Sequence, residues 1–473
     1  MPPVTRRTTI RTAAALPAAL SAAAPAAVLA NPAVQPASPD RAAEALADRP
    51  LFGASTWTLP NGLRVVHVDS RRVPVVAHYL FYGAGGGEDP PGRSGVAHFL
   101  EHMMFKGSRN VAPGALSLAV AREGGQDNAF TSRDVTAYFQ HVEASRLPLV
   151  MRLESDRFAA PLIPADTLEP ERDVILEERR LRTDSSPRAR FWEAFEAALW
   201  GPQHWHGRPI IGWEPEIRAI SRENLLDFYR DRYAPANAVL LVAGDAREAE
   251  VRRLADEFYA PVPARPHRGR ERGGAPPTAP AEARITRRDP AVREASFMRA
   301  AVAPSLTWGD QRQAWALEVV SHLLGGGQGS RLHKALVETG LATSAGCSFD
   351  AEAAGAGSFT LSATLRPGVP PERLEAALDE TVSRLLQDGP MEEERARSVR
   401  QITAGAVLAL DGFGTAARML GGALALGLPI ETVEFWPRRL REVTLAETAA
   451  AARAVLGGAP STTGWLVPGE APS

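Results

Sequence analysis

The most informative stretch of this chain is Gly95-Val-Ala-His-Phe-Leu-Glu-His-Met-Met-Phe-Lys-Gly107. Its apolar run from Val96 to Phe105 predicts a buried helix, in which His98, Glu101 and His102 are the only polar side chains. Because burying an unpaired charge or imidazole is costly, these side chains need a shared partner. The two histidines are spaced i and i+4 on one helical face, so they can bind one cation, with the glutamate beside them.

The order His-x-x-Glu-His is the inverted zincin signature. It predicts a zinc-dependent peptide hydrolase with one Zn²⁺ per chain, held by His98 and His102. Glu101 is predicted to be the general base, which takes a proton from the zinc-bound water and later delivers it to the leaving amine. The alternative is a pair of core histidines whose ring nitrogens are satisfied by backbone groups.

A hydrolytic zinc usually has three protein ligands and a water molecule, so a further ligand must come from elsewhere in the chain. The best source is the predicted helix Leu168–Arg182, which carries several acids. Its apolar side is defined by four residues: Val174, Ile175, Leu176 and Leu181. Glu178 lies closest to the middle of that side and is predicted as the third ligand, with Glu171 as a catalytic group that orients a ligand or the water. Alternatively, Glu177 and Glu178 only pair with the arginines that follow them on a solvated face.

The bulk composition limits the class of protein. A length of 473 residues predicts two or more domains, and 45% hydrophobic and 23% charged residues are ordinary for a soluble globular protein. The net charge of −2 gives no electrostatic reason to expect nucleic acid or an anionic membrane as a partner. Of the 53 basic residues, all but Lys106 and Lys334 are arginine, which indicates a compositional bias of the source. The single cysteine, Cys347, excludes an internal disulfide and a cysteine-based zinc site.

Residues 1–30 are predicted to be an export signal, followed by a flexible lead-in over residues 31–50. Arg6-Arg7 precede an alanine-rich apolar stretch, and Val28-Leu29-Ala30 offers small residues for cleavage before Asn31. The arginine pair resembles a twin-arginine signal, which favours a periplasmic location. If this segment is no signal, it is a disordered Ala/Pro tail and the protein is cytoplasmic. No other segment has the length and continuity of a membrane helix.

Two similar halves follow: a first domain over residues 51–260, a Pro/Arg/Gly-rich linker over 261–284, and a second domain over 285–473. In each half an apolar strand, Val75–Tyr82 or Ala295–Val302, leads through a loop to a helix, which indicates one fold used twice. Thr131–Val142 alternates like one strand. The predicted fold class is α+β, with two homologous α/β-sandwich domains in which helices cover a mostly antiparallel sheet.

These motifs resemble the pitrilysin family, which includes insulin-degrading enzyme and the mitochondrial processing peptidases. His98-Phe-Leu-Glu-His102 matches the family's catalytic motif, and Glu171-Arg-Asp-Val-Ile-Leu-Glu-Glu178 resembles the segment with its third zinc ligand. Gly125-Gln-Asp-Asn-Ala-Phe-Thr131 resembles the family's substrate-binding strand. The resemblance therefore implies that Asn128 and Ala129 hold an extended peptide by β-addition, whereas the alternative makes Asn128 a turn residue.

Arg208-Pro-Ile-Ile-Gly212 also resembles a family segment. We expect the nearby His204 and His206 to lie in an exposed loop rather than in a second metal site.

The second half resembles the family's C-terminal domain but departs from its pattern. Active relatives often carry an Arg, with a Tyr seven residues later, that help to bind substrate, and this chain has Val337 and Thr343 near those places. This half also lacks His-x-x-Glu-His. We therefore infer a partner subunit of the same fold that supplies the Arg/Tyr pair, or a homodimer. The implied activity is that of an endopeptidase on peptides or unfolded polypeptide segments; the alternatives are a non-catalytic structural subunit and a peptide-binding one.

Overall fold

The computed structural model describes residues 49–270, 283–410, 412 and 414–469. The predicted export signal lies outside these residues. So do residues 31–48 of the predicted lead-in and residues 271–282 in the middle of the predicted linker. These assignments, and the limits of the two predicted domains, stay predictions.

The first sheet has the strand order β1-β2-β6-β3-β5-β4. Its strands are β1 (Ser55–Thr58), β2 (Arg64–Asp69), β3 (Val75–Tyr82), β4 (Gln126–Thr131), β5 (Thr136–Glu143) and β6 (Ala238–Gly244). Neighbouring strands are antiparallel except for β2 and β6, which run parallel. Strand β6 is apolar and buried along its whole length, as expected of a central strand covered on both faces. Strand β4 forms the edge and, within the described chain, pairs only with β5.

Helices from the same part of the chain pack on this sheet. They are α1 (Val96–Met103), α2 (Ala115–Arg122), α3 (Leu147–Ala159), α4 (Leu168–Arg179), α5 (Pro187–Trp200), α6 (Glu214–Ala219), α7 (Arg222–Arg232) and α8 (Glu248–Phe258). Phe99 and Leu100 of α1 are buried in one core with Leu80 and Tyr138 of the sheet. Burying a side chain of this size stabilises a fold by about 1.5–3 kcal/mol, so this core holds α1 against the strands.

The second sheet repeats the arrangement in the order β7-β11-β8-β10-β9. Its strands are β7 (Ala283–Asp289), β8 (Ser296–Ala303), β9 (Ala342–Phe349), β10 (Gly357–Leu365) and β11 (Ser461–Pro468). The accompanying helices are α9 (Gln311–Gly325), α10 (Pro371–Asp388), α11 (Glu392–Ala409), α12 (Thr415–Ala425), α13 (Ile430–Glu434), α14 (Trp436–Arg441) and α15 (Leu445–Leu456). The order matches β2-β6-β3-β5-β4 of the first sheet, and β7 and β11 form the equivalent parallel pair. The predicted fold class is thus confirmed.

Each half also contributes a helix to the other half's sheet. Helix α5 packs on β7, β8 and β11, while α12 packs on β3 and β6. Glycines permit both approaches: a Cβ at Gly464 would stand 2.7 Å from the Phe195 ring, and one at Gly421 would overlap the ring of Phe81. This exchange buries apolar surface between the halves and fixes one against the other.

The prediction of one strand over Thr131–Val142 is correct from Thr136 onward, where β5 begins, and wrong before it, because the chain turns between β4 and β5. The Ser132 hydroxyl accepts hydrogen bonds from the backbone N–H groups of Asp134 and Val135, which stabilises this hairpin turn. The turn carries three consecutive polar residues, Ser132-Arg133-Asp134, so the alternation is interrupted there. Such a cluster is a turn signal, which the prediction of one continuous strand overlooks.

The beginning of the predicted linker is anchored to both halves. Arg265 donates a hydrogen bond to the Tyr233 carbonyl, and Arg270 donates to the carbonyls of Asp134 and Ala425. In the described part of the chain, no helix is both long enough and apolar enough to pass through a bilayer.

Candidate metal centre

Helix α1 is buried at every residue, and its start is capped by a distant acid. The Asp89 carboxylate accepts hydrogen bonds from the backbone N–H groups of Gly95 (2.7 Å) and Ala97 (2.8 Å). These amides have no hydrogen-bond acceptor within the helix, so the carboxylate supplies one. Its negative charge also interacts favourably with the positive end of the helix dipole. Arg208 in turn donates to the Asp89 carbonyl at 2.9 Å, which ties the loop before α1 to the Arg208–Gly212 segment.

A pair of glycines fixes the position of this helix start. Gly95 and Gly212 have φ values of +92° and +94°, a region that favours glycine. A Cβ on Gly95 would stand 2.5 Å from the Ile211 carbonyl oxygen, and one on Gly212 would clash with the Ser94 carbonyl. The two backbones can therefore approach only without side chains.

The structure brings His98, His102 and Glu178 together. The two imidazole rings of α1 have centroids 4.7 Å apart, and Oε2 of Glu178 on α4 lies 3.8 Å from Nε2 of His98 and 3.4 Å from Nε2 of His102. One ligand atom from each residue lies within 4.8 Å of the other two. Within the described residues, this is the only group of at least three His, Cys, Asp or Glu side chains with such spacing.

The side chains fit a cation at this point. Nε2 of His102 is buried and has no hydrogen-bond partner among the residues that the structure describes. Two imidazoles and a carboxylate form a donor set typical of zinc in hydrolases. The Glu178 side chain is only 15% exposed, and its carboxylate is the anionic member of this donor set.

The pKa values reflect this crowding. Burial, followed by the charge of His102, lowers the pKa of His98 to about 3. Burial also lowers the pKa of His102, but its contacts with Glu171 and Glu178 outweigh burial and raise the value to about 9. Burial raises the pKa of Glu178, yet the two histidines and Arg182 bring it down to about 2. At neutral pH the His98 ring is therefore neutral, and the charged His102 ring attracts the Glu178 carboxylate.

Glu171 contacts the other side of the His102 ring. Nδ1 of His102 donates a hydrogen bond to Oε1 of Glu171 at 2.8 Å, and the Lys106 ammonium contacts Oε2. This contact leaves Nε2 of His102 as the nitrogen that faces Glu178.

Glu101 is buried beside the two histidines. Its Oε2 accepts a hydrogen bond of 2.5 Å from the Thr131 hydroxyl at the end of β4. Burial raises the pKa of Glu101 to about 7, against the opposing effects of His102 and Thr131.

The predicted apolar side of the segment Leu168–Arg182, which contains α4 and the helical turn after it, is wrong for two of its four residues. Val174 is 47% exposed and Leu181 is 60% exposed, whereas Ile175 is buried and Leu176 is half-buried. The side of α4 that packs into the protein instead carries Glu171, Arg172 and Arg179 along with Ile175. Periodicity could not reveal this, because buried ion pairs make charged residues part of the packed face. The two terminal guanidinium nitrogens of Arg179, for example, bond Glu193.

The alternative, in which the acids only pair with the following arginines on a solvated face, is correct for Glu177, which pairs with Arg180 at the surface. Glu178 also bonds Arg182, through Oε1 at 3.0 Å, but its Oε2 faces the histidines.

Asn128 and Ala129 lie within the edge strand β4, so the turn alternative for Asn128 is wrong. Ala129 is buried. In the second half, Val337 ends the helical turn His333–Val337 and Thr343 is exposed on β9.

The expectation of an exposed loop is wrong for His206. Its ring is buried, stacks on Trp200 at 4.2 Å and hydrogen-bonds the Ala356 carbonyl of the second half through Nε2 at 2.9 Å. It belongs to the contact between the halves.

Sequence reasoning missed Asp89, Thr131 and Lys106 as neighbours of the centre. The contacts of Asp89 and Thr131 depend on loop and hairpin geometry and have no local signature. Lys106 had one signal, its rarity in an arginine-rich chain.

Two family profiles match the chain: "Insulinase (Peptidase family M16)" over residues 64–208 and "Peptidase M16 inactive domain" over residues 219–402. An uncharacterized zinc protease of Mycobacterium tuberculosis is 31% identical over 428 residues, which cover 89% of this chain and 93% of that protein.

Solved structures agree with this assignment. A protease from Helicobacter pylori superimposes with a TM-score of 0.77 at 25% identity, over 87% of this chain and 99% of that chain. Pitrilysin superimposes with a TM-score of 0.74 at 18% identity, over 89% of this chain but only 45% of its own, and shares the fold. The chain therefore belongs to peptidase family M16, the pitrilysin family, as a member of the half-length type.

Proposed function

We propose that this chain is a zinc-dependent endopeptidase that hydrolyses peptides or unfolded polypeptide segments. The observation that supports this most directly is the convergence of His98, His102 and Glu178, with Glu101 buried beside them. His98 and His102 would hold Zn²⁺ through imidazole nitrogens, and Glu178 would hold it through Oε2. When bound, zinc would acidify a water molecule and polarise the scissile carbonyl.

Glu101 carries the proton in this proposal. One of its carboxylate oxygens accepts the proton of the attacking water and then donates it to the nitrogen of the leaving amine. Thr131 orients this carboxylate by its hydrogen bond to Oε2. Glu171 orients His102 through Nδ1.

Strand β4 would position the substrate. Because β4 is an edge strand, the segment Asn128–Ala129 would offer backbone groups of its free edge to an extended peptide, which would add to the sheet next to Thr131 and Glu101. The Ala129 N–H, which donates to Oδ1 of Asn128 at 2.9 Å, would then donate to the peptide instead. Such binding depends on the main chain, which suits a broad range of unfolded segments.

A partner subunit and an exported location belong to the same proposal. Val337 and Thr343 stand near the places where active relatives often carry an Arg/Tyr pair, so a second subunit of this fold, or a second copy, would complete substrate binding. The signal-like residues 1–30 favour the periplasm. Size-exclusion chromatography combined with activity assays tests whether a second subunit or second copy is needed. A fully active monomer would contradict this part of the proposal.

The decisive experiment is Glu101→Gln in the full chain. We expect this variant to keep one zinc per chain by metal analysis and to lose most cleavage of a fluorogenic peptide, since a general base contributes about 10²–10⁴-fold. A chelator should abolish wild-type cleavage and added zinc should restore it. A Glu101→Gln variant as active as wild type would refute the mechanism.

The missing Arg/Tyr pair favours a second candidate, a non-catalytic peptide-binding or structural subunit. Such a protein would bind peptide with or without zinc and show no chelator-sensitive cleavage, so the same assays separate the two functions.

A further inference from the structure

Lys106 is unusual in this chain, where all but two of the 53 basic residues are arginine. It lies just beyond α1, and its backbone N–H donates to the Met103 carbonyl at 3.0 Å. Its side chain is 28% exposed, whereas that of Glu171, which its ammonium contacts, is 8% exposed. The charge of this lysine is therefore directed into the protein, toward the metal centre.

Glu171 is held at both oxygens. The Lys106 ammonium binds Oε2, and Nδ1 of His102 donates to Oε1 at 2.8 Å. A carboxylate bound through one oxygen can still rotate, because the terminal torsion of glutamate is broad. A second, charge-assisted bond removes that freedom.

We propose that Lys106 is a positioning residue of the metal centre: it fixes the Glu171 carboxylate, which orients His102 with Nε2 toward the cation. This inference rests on the proposed metal site, but it does not require that the chain cleaves peptides.

The chemistry of lysine suits this task better than that of arginine. A guanidinium is a planar fork that binds both oxygens of a carboxylate, as Arg179 does with Glu193 and Arg172 does with Glu169. Such a fork on Glu171 would compete with His102 for Oε1. An ammonium is a compact charge that can bind Oε2 alone and leave Oε1 to the imidazole.

The test measures zinc affinity of the purified, metal-free full chain by competition with a chromophoric chelator. We expect Lys106→Met to weaken zinc binding on the order of tenfold, as is typical when a group that orients a ligand is removed. Lys106→Arg should also weaken it, although the charge is kept. Lys334→Met, which changes the other, exposed lysine, should match wild type.

A double-mutant cycle identifies the route. If Lys106 acts through Glu171, the pair Lys106→Met and Glu171→Gln should bind zinc no more weakly than Glu171→Gln alone. Additive losses, or wild-type affinity in Lys106→Met or Lys106→Arg, would overturn the inference. Circular dichroism checks folding, and Lys106→Gln replaces Lys106→Met if the latter does not fold.

The outcomes also separate this inference from the proposed function. A wild-type chain that binds zinc but cleaves no peptide, even together with a partner subunit of the same fold, overturns the peptidase proposal. It leaves the role of Lys106 intact if the affinities follow the expected order. A wild-type chain that binds no zinc overturns both.

Discussion

The Thr131 hydroxyl donates a hydrogen bond of 2.5 Å to Oε2 of Glu101. Thr131 is the last residue of β4, and Glu101 lies in the last turn of α1, so the bond joins the edge strand to the helix of the metal centre. A peptide added to β4 would therefore meet a strand that is directly connected to the proposed general base.

Thr131→Val removes this bond and keeps the shape of the side chain. We expect kcat for a fluorogenic peptide to fall about tenfold or more with zinc content unchanged, because a hydrogen bond to a charged group contributes about 1.5–3 kcal/mol. Thr131→Ser, which keeps the hydroxyl, should stay near wild type. A wild-type kcat in Thr131→Val would show that this hydroxyl does not orient Glu101.

Gly212→Ala tests the close backbone contact between Gly212 and Ser94, which fixes the position of the start of α1. The new Cβ would clash with the Ser94 carbonyl, so we expect a lower melting temperature and weaker zinc binding. Gly427→Ala is the control, since Gly427 has a similar φ of +87° and no atom within 4 Å of an added Cβ. In the control, the free energy of unfolding should fall by only about 1–2 kcal/mol, which is the backbone strain of a left-handed alanine. If melting temperature and zinc affinity fall equally in the two variants, the contact with Ser94 does not fix the start of α1.

The part of the centre that the sequence could predict is local. His98, Glu101 and His102 lie within two turns of one helix, so their spacing alone puts them on neighbouring positions. The periodicity argument for Glu178 assigns an apolar side to the segment Leu168–Arg182, and that assignment is partly wrong because Val174 and Leu181 are exposed. Glu178 nevertheless lies beside the histidines, which shows that the resemblance of its segment was the stronger argument.

The rest depends on contacts between segments far apart in the chain. Asp89 caps α1 from a loop, and the Thr131 hydroxyl contacts Glu101 at the point where β4 ends and the hairpin turn begins. The repeated sheet order was predictable because both halves show the same succession of apolar strands and helices. The exchange of α5 and α12 between the halves was not, since amphipathic periodicity does not say which sheet a helix will cover.

Gly421→Ala tests the packing of α12 on the first sheet. The added methyl would overlap the Phe81 ring, and we expect a destabilisation of about 1–3 kcal/mol from overpacking. The measurement is the urea midpoint of the full chain.

Gly422→Ala is a matched control one residue along the same helix. No atom lies within 4 Å of its added Cβ, and alanine favours a helix over glycine by about 1 kcal/mol, so this variant should be slightly more stable than wild type. If both variants are stabilised, α12 does not pack against Phe81 as described.

His78 should make stability depend on pH. It is buried between Gln140, which contacts Nδ1 at 2.7 Å, and Tyr259, which contacts Nε2 at 2.9 Å. Glu154 and Arg157 lie behind Gln140 in the same network. Burial lowers the pKa of His78 to about 4, with Gln140 opposing and Arg157 adding to the effect.

Between pH 6.5 and 4 the unfolded chain therefore binds a proton at His78 that the folded chain does not, so the free energy of unfolding decreases as pH falls. From pH 7 to 4.5 this group should remove about 2 kcal/mol. His78→Gln lacks the titrating ring, and although it should be less stable at pH 7, its urea midpoint should change less over this range. An equally steep decline in His78→Gln would assign the acid sensitivity to other groups.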